Sequence, residues 1–144
     1  MNLPILFLLT GLANVIDGDT VEIQGRYIRL HGIDAPEHDQ SCTDAGGQHY
    51  NCGQVAIQAL ADKIGGHPVT CTVHETDSYG RPIATCLAHD MNLNAWMVRQ
   101  GHALAYTYFS REYLPEQAEA QSSRRGLWAG SFTKPWNWRY QNRK

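Results

Sequence analysis

The chain has little positive charge to spare, no CxxC pair and no apolar run of membrane length, and each shortage removes a class of protein. Its 144 residues carry a formal net charge of −2, which excludes a strongly basic protein that coats nucleic acid over its whole surface. Without CxxC spacing the four cysteines do not read as a structural zinc site. The most apolar stretch, MNLPILFLLTGLA at the N-terminus, is too short to span a bilayer, and no basic residue precedes it, so it does not read as a complete signal peptide. It is expected to be an apolar extension over about residues 1–9, either a remodelled leader or extra strand, running into a first strand in LTGLANVI. Repeats, low-complexity segments and interdomain linkers are also missing, so residues 1–144 read as one domain.

What is present is unevenly spread. Residues 1–98 hold four Lys/Arg against eleven Asp/Glu, and residues 99–144 hold eight against three. An acidic site backed by a basic last third could hold a metal and a polyanion together, although a solvated basic tail has the same composition. The end of the chain, about residues 129–144, is aromatic as well as basic and is expected to pack on the domain surface.

The cysteines bear on compartment. Cys71 lies in VTCTV and Cys86 in PIATCL, both strand-like, with the turn signal DSYGR between them. An antiparallel hairpin centred between Ser78 and Tyr79 sets Cys71 opposite Cys86, and facing Cβ atoms lie close enough for a disulfide. Cys42 and Cys52 bracket the loop TDAGGQHYN and could close it. Two bridges imply an oxidising compartment and an exported, periplasmic or secreted protein; the competing reading is four free thiols in a cytosolic one.

Strand and helix patterns alternate along the chain. VEI and YIRL flank a turn at Gln24–Gly25 and read as a hairpin. GQVAIQALADKIGG has apolar residues at helical spacing and a terminal Gly pair, predicting a helix over about 53–64. NLNAWMVRQG reads as a short helix closed by Gly101, and HALAYTY as extended. LPEQAEAQSSRRG, with an early Pro, acids first and arginines last, reads as a third helix. Short strands with few helices suggest a small barrel with helices attached, an α+β chain.

The chemistry gathers in VIDGDTVEIQGRYIRLHGIDAPE, residues 15–37. Asp19 begins a strand just past a glycine, and Asp34 sits in a turn stiffened by Pro36. Carboxylates brought from separate turns are hard oxygen ligands suited to Ca²⁺ or Mg²⁺, although DG and DxP are also ordinary turn chemistry. Arg29 lies between them and Arg81 follows the Tyr79–Gly80 turn; guanidinium groups suit a phosphate whose charge grows in a transition state. Each alone reads as turn or surface, and the combination is what points to phosphodiester chemistry. His31 and His38 flank the DAPE turn and read as surface residues, with a place in a metal shell or proton transfer as the alternative.

VIDGDTVEI, IRLHGIDAPE, DSYGRPIA, NAWMVRQGHALAY and RRGLW, in that order, resemble the staphylococcal nuclease (thermonuclease) family over about residues 10–128. The Cys pairs and the ending SFTKPWNWR resemble its bacterial exported branch. The resemblance implies a five-stranded OB-fold β-barrel with three helices, acting as a phosphodiesterase on DNA and RNA with metal-assisted attack of water and 3′-phosphate ends. It implies Ca²⁺ held by Asp19, Asp34 and the main-chain carbonyl of Ala35, where a change to Ala matters little because the ligand is backbone. It places catalytic roles on Glu37, Arg29 and Arg81, and nucleotide contacts on Tyr106 and Tyr108, with Tyr79 beside Arg81. The family's basic segment near its 3′-phosphate has no clear counterpart. No stable protein partner and no membrane span are implied. The rival class is a catalytically silent OB-fold nucleic-acid-binding module, for which the five residues Asp19, Arg29, Asp34, Glu37 and Arg81 would be unnecessary.

Overall fold

A computed structural model describes residues 7–143. Residues 1–6, and with them most of the expected extension over 1–9 and its leader reading, lie outside the described residues. In chain order the strands and helices begin with β1 (Leu8–Gly11), β2 (Ala13–Asp17), β3 (Thr20–Ile23), β4 (Arg26–Leu30) and the short β5 (Ile33–Asp34). A small hairpin, β6 (Ser41–Thr43) and β7 (His49–Asn51), leads into α1 (Cys52–Ile64). The hairpin β8 (Val69–Thr76) and β9 (Pro82–Ala88) follows, then β10 (Met91–Asn92), α2 (Leu93–Arg99) and β11 (Leu104–Ala105). The chain ends with α3 (Leu114–Ser123), a 3₁₀ turn (Gly126–Ala129) and α4 (Pro135–Asn142).

The large sheet runs β1–β8–β9–β4–β3–β2, with β10 added on β9. Its β4–β9 pair is parallel and the others are antiparallel. β1 and β2 form nearly one strand interrupted at Leu12, the first part pairing with β8 and the second with β3. The two ends of the sheet are therefore joined through the chain, while the hydrogen-bond ladder stays open between them. Gly11 makes this bend possible: a Cβ there would stand 2.9 Å from Ile23 Cγ2. The result is the expected α+β, OB-like architecture, with a barrel that does not close and, among the described residues, four α-helices rather than three. The addition is α4, which turns the expected surface tail into a regular element.

The local signals explain most elements. The β3–β4 turn puts Gln24 and Gly25 at positive φ, 51° and 78°, matching the twist of a tight hairpin. Helix α1 starts where the Asn51 side chain accepts from the Gln54 amide and stops at Gly65 in the left-handed region. Helix α3 begins without a side-chain cap but with Pro in its first turn. In the β8–β9 hairpin Cys71 pairs with Cys86 in the predicted register, and a bulge between Val73 and Glu75 shifts the pairing by one residue before the turn.

The main core, including Val21, Ile28, Leu30, Leu60, Val69, Leu93 and Met97, fills the space between sheet and helices. Asn94 is buried within it, yet its amide donates to the His31 and Ala84 carbonyls and accepts from the Cys86 amide. This ties α2 to both central strands without leaving a buried polar group unpaired. A second apolar cluster surrounds Cys42, Cys52, Leu104 and Leu127, with Trp128, Phe132 and Trp136 packed against it.

Both disulfides are formed, Cys42–Cys52 and Cys71–Cys86. They join residues 10 and 15 positions apart; closing loops of that size restricts the unfolded chain and stabilises by roughly 2–3 kcal/mol each. Replacing Cys71 and Cys86 together by Ala is expected to lower the urea-unfolding free energy by about that amount, and mass mapping of unreduced peptides is expected to recover these two pairs uncrossed.

Candidate active site

Four pieces of chain meet in one cleft of about 610 Å³. The β2–β3 turn brings Asp17 and Asp19, β4 brings Arg29, the segment after β5 brings Glu37, and the β8–β9 turn brings Tyr79 and Arg81. Tyr106, Phe109 and Arg139 also line it.

Backbone pairing fixes the floor. Thr20 lies opposite Arg29, and the Leu30 amide donates to the Asp19 carbonyl at 2.8 Å, so Asp19 and Arg29 are neighbours by register. β11 pairs with β5, Leu104 opposite Asp34, and the Tyr106 amide donates to the Gly32 carbonyl; this brings Tyr106 to the same floor. Gly18 lets the acidic turn sit flat on the core, since a Cβ there would stand 2.7 Å from Ala56 Cβ and 2.8 Å from Ala35 Cβ. Gly53 does the same for α1, whose backbone rests directly on the Glu37 carbonyl.

The acids are buried and arginine balances them. Asp34 is 0% exposed and Asp19 4%. Arg29 reaches both, Nη1 at 3.3 Å from Asp19 Oδ1 and Nη2 at 3.3 Å from Asp34 Oδ1. The other Asp19 oxygen accepts from the Ala35 amide at 2.8 Å. Burial alone would lower the Arg29 guanidinium, but the charges of Asp19 and Asp34 hold it above its ordinary value. Burial pushes the Asp34 carboxyl up to about 6 against the pull of its arginines. Burial, then the neighbouring Asp19 and Glu37 charges, push Asp17 up to about 6 as well.

The predicted residues are not all equally joined. Asp19, Arg29, Asp34 and Glu37 form one linked group. Arg81 lines the same cleft but stands apart, its Nε donating to Asp77 Oδ2 at 2.7 Å. Asp77 is slightly raised by burial, and hydrogen bonds from the Arg81 and Tyr79 amides and the Arg81 guanidinium more than offset this, holding it below its ordinary value. Tyr79 and Tyr108 are exposed, whereas Tyr106 lies face to face with Trp136, centroids 5.2 Å apart and planes 6° apart. One face of Tyr106 is thus taken by the protein itself. Asp34 and Ala35 are buried and lie behind the cleft wall rather than lining it.

Three contributions come from outside the residues assigned a role, His38 having been read as surface with a metal shell as the alternative. Arg139, on α4, places Nη1 2.8 Å from Asp34 Oδ1 and 2.9 Å from Glu37 Oε1, and its Nη2 2.8 Å from Asp34 Oδ2. The tail was expected to cover surface; it enters the cleft instead, because Trp128, Phe132 and Trp136 pack on the Cys42–Cys52 cluster. Aromatic-basic composition was the available signal, but it did not say which arginine would turn inward. Asp17 and His38 are the other two. Ligand atoms of Asp17, Glu37 and His38 all lie within 4.8 Å of one another, so His38, although exposed, belongs beside the acids rather than to open surface. His31 lines the cleft but makes no side-chain hydrogen bond through its buried Nδ1 among the described residues.

This donor set suits a hard divalent cation. Oxygen ligands converge from several segments, and Asp17 Oδ1 is buried without a hydrogen-bond partner among the described residues. Opposite the acids stand guanidiniums fitted to an anion. The pairing can bind a phosphate ester and surround its phosphorus with charge of both signs.

Comparison with other proteins gives a consistent result. Residues 27–130 match the family described as staphylococcal nuclease homologue. A succinoglycan biosynthesis protein, ExoI, of Rhizobium meliloti is 37% identical over 123 residues, covering 83% of this chain and 64% of that protein. The chain therefore spans somewhat less than two thirds of that relative's length. An uncharacterized endonuclease of Escherichia coli is 35% identical over 138 residues, 90% of this chain and 84% of its own. A micrococcal nuclease of Shigella flexneri is 32% identical over 146 residues, 89% and 78%.

The packing of Gly18 yields a direct expectation. Gly18→Ala must push the acidic turn off Ala35 and Ala56, and overpacking of this kind costs about 1–3 kcal/mol. Urea unfolding of the variant is expected to show that loss with an unchanged denaturant slope.

Proposed function

The chain belongs to the staphylococcal nuclease family, and from that premise we propose that it is a nuclease hydrolysing phosphodiester bonds of DNA and RNA. The observation that carries the reading is Arg29, which lines one cleft with Asp19 and Arg81 and bridges Asp19 to the buried Asp34 behind it, at 3.3 Å each. Asp19, Asp34 and the Ala35 carbonyl would hold Ca²⁺, with Asp17 and Glu37 close by. Bound there, the ion would neutralise charge on the scissile phosphate.

The chain's own residues supply the rest. Arg29, anchored by two carboxylates, presents a fixed guanidinium to the phosphate. Arg81 faces it from the β8–β9 turn, where Asp77 accepts from its main-chain amide and its Nε; its two terminal nitrogens, without a hydrogen-bond partner among the described residues, would bind charge that develops on phosphorus. Glu37, at the rim of the acid group, accepts a hydrogen bond from an attacking water and orients it in line. The exposed rings of Tyr108 and Phe109 beside Tyr106 offer a stacking surface for unpaired bases. A silent binding module has no use for buried carboxylates bridged by an arginine, so the catalytic reading is favoured over it. The two disulfides fit an exported protein working in an oxidising compartment.

Plasmid and RNA degradation, with and without chelator, tests the function: cleavage abolished by chelator and restored by Ca²⁺ is expected, and unaffected cleavage would contradict the metal. Arg29→Lys, Arg81→Lys and Glu37→Gln are each expected to lower turnover by about 10²–10³-fold with the fold retained, because lysine cannot reproduce the two-pronged contact. Near-normal rates in all three would remove the assigned roles.

Substrate form is a separate expectation. The net charge is −2, too little positive charge for a broad duplex-gripping face, and the aromatic rim favours splayed bases. Matched oligonucleotides should be cut faster single-stranded than duplex, with 3′-phosphate ends; equal or faster duplex cleavage would overturn the preference, and 5′-phosphate ends the leaving group.

A further inference from the structure

Arg139 makes the shortest bonds to the acid group of any cation among the described residues, and it comes from outside the motifs of residues 15–37. Its fork takes both oxygens of buried Asp34, at 2.8 Å each, and one oxygen of Glu37 at 2.9 Å. Burial alone would lower this guanidinium; its hydrogen bonds and charge attraction to Asp34, and then to Glu37, raise it instead. Arg29 and Arg139 together fill three of the four acceptor positions of the Asp34 carboxylate, two of them through the Arg139 fork. A divalent ion that takes Asp34 must compete with that fork for its oxygens.

The position is built rather than accidental. The loop 40–43 grips the segment leading into α4: Gln40 Nε2 donates to the Thr133 carbonyl at 2.8 Å, and Thr43 and Ser131 exchange two backbone hydrogen bonds at 2.9 Å. Gln40 also bonds back to the Glu37 amide through its Oε1. Trp136 then stacks on Tyr106, and the Arg139 guanidinium carbon lies 6.0 Å from the Tyr106 ring centroid. The entry to α4 is thus fixed to the same loop that carries Glu37, while the Arg139 side chain, 35% exposed, has room to move on the solvent side.

We propose that Arg139 is an internal counter-cation of the Asp34–Glu37 pair, displaced by the divalent ion, so that α4 sets the metal affinity of the site. The proposal rests on the metal-assisted reading above. In the metal-free protein Arg139 satisfies a buried carboxylate that would otherwise be under-compensated. On metal entry the guanidinium leaves Asp34 and its charge is replaced by that of the ion. Apparent affinity is then the intrinsic affinity reduced by the fraction of molecules with Asp34 free. Arg139 acts on the reaction through the acids it holds and is a positioning residue.

Calorimetric titration of the full chain with Ca²⁺ tests this without turnover. Arg139→Gln is expected to bind Ca²⁺ about 10–100-fold more tightly than the unchanged protein, as expected when a competitor occupying Asp34 for most of the time is removed. Arg143→Gln removes the same charge from the end of α4 but not a partner of the acids, and is expected to leave the affinity nearly unchanged. Equal affinities for the Arg139 variant and the unchanged chain, or equal tightening by both variants, would overturn the exchange while the metal reading stands. If neither the unchanged chain nor the Arg139 variant binds Ca²⁺, the metal reading fails and the exchange falls with it. A second measurement needs no variant fold: the Arg139 Nε–H resonance of the unchanged protein is expected to shift as Ca²⁺ is added, and a resonance that stays fixed at saturating Ca²⁺ would also overturn the proposal.

Discussion

The buried carboxylate of Asp34 is the constraint on which the rest of the site depends. A charge with no exposure to water is tolerated only when other charges and hydrogen bonds replace its hydration. Arg29 comes to it along β4 and Arg139 comes to it from α4, more than a hundred residues later in the chain. Arg29 also engages Asp19, whose second oxygen is fastened to the Ala35 amide. The acids and the arginine that bridges them therefore form one fixed lattice, oriented by contacts within the protein.

The framework around that lattice serves its geometry. Cys71–Cys86 ties together the two longest strands, whose far turn carries Arg81. Cys42–Cys52 anchors a second apolar cluster, and the aromatic residues packed on it guide the last segment of the chain toward the cleft. Glycine enters where backbone must approach backbone: Gly53 lets α1 lie on the Glu37 carbonyl, and no other residue fits that contact. Fold stability and site geometry are thus carried by the same contacts.

The two walls of the cleft differ in how they are held. Arg29 and Asp34 sit on paired strands at the core boundary, and Asp19 sits in the tight turn that joins β2 to β3. Arg81 sits on a hairpin turn, fixed by Asp77 and by a bulge that shifts the register near Glu75. A rigid floor facing a wall borne on a turn suits a substrate that must be admitted and then surrounded. Beside the floor, ligand atoms of Asp17, Glu37 and His38 converge closely enough that they could hold a metal ion.

Local chemistry determined much of this from the sequence alone. Alternation and turn residues place β3, β4 and the β8–β9 hairpin, the symmetry of that hairpin pairs Cys71 with Cys86, and glycine and proline mark the ends of α1 and α3. Asp19, Arg29, Asp34 and Glu37 each read alone as turn or surface; their combination and the resemblance to a known family singled them out, and the structure brings them into one group with Arg139. Tertiary structure alone decided what reaches Asp34 from far along the chain. Nothing local distinguishes Arg139 from the other basic residues of the tail; it becomes a partner of the acids because Trp128, Phe132 and Trp136 pack on a disulfide-centred cluster and carry α4 with them. Likewise Tyr106 reads as an open base platform until Trp136 covers one face of it. Such contacts depend on how distant segments pack, a physical quantity that neither periodicity nor spacing along the chain contains.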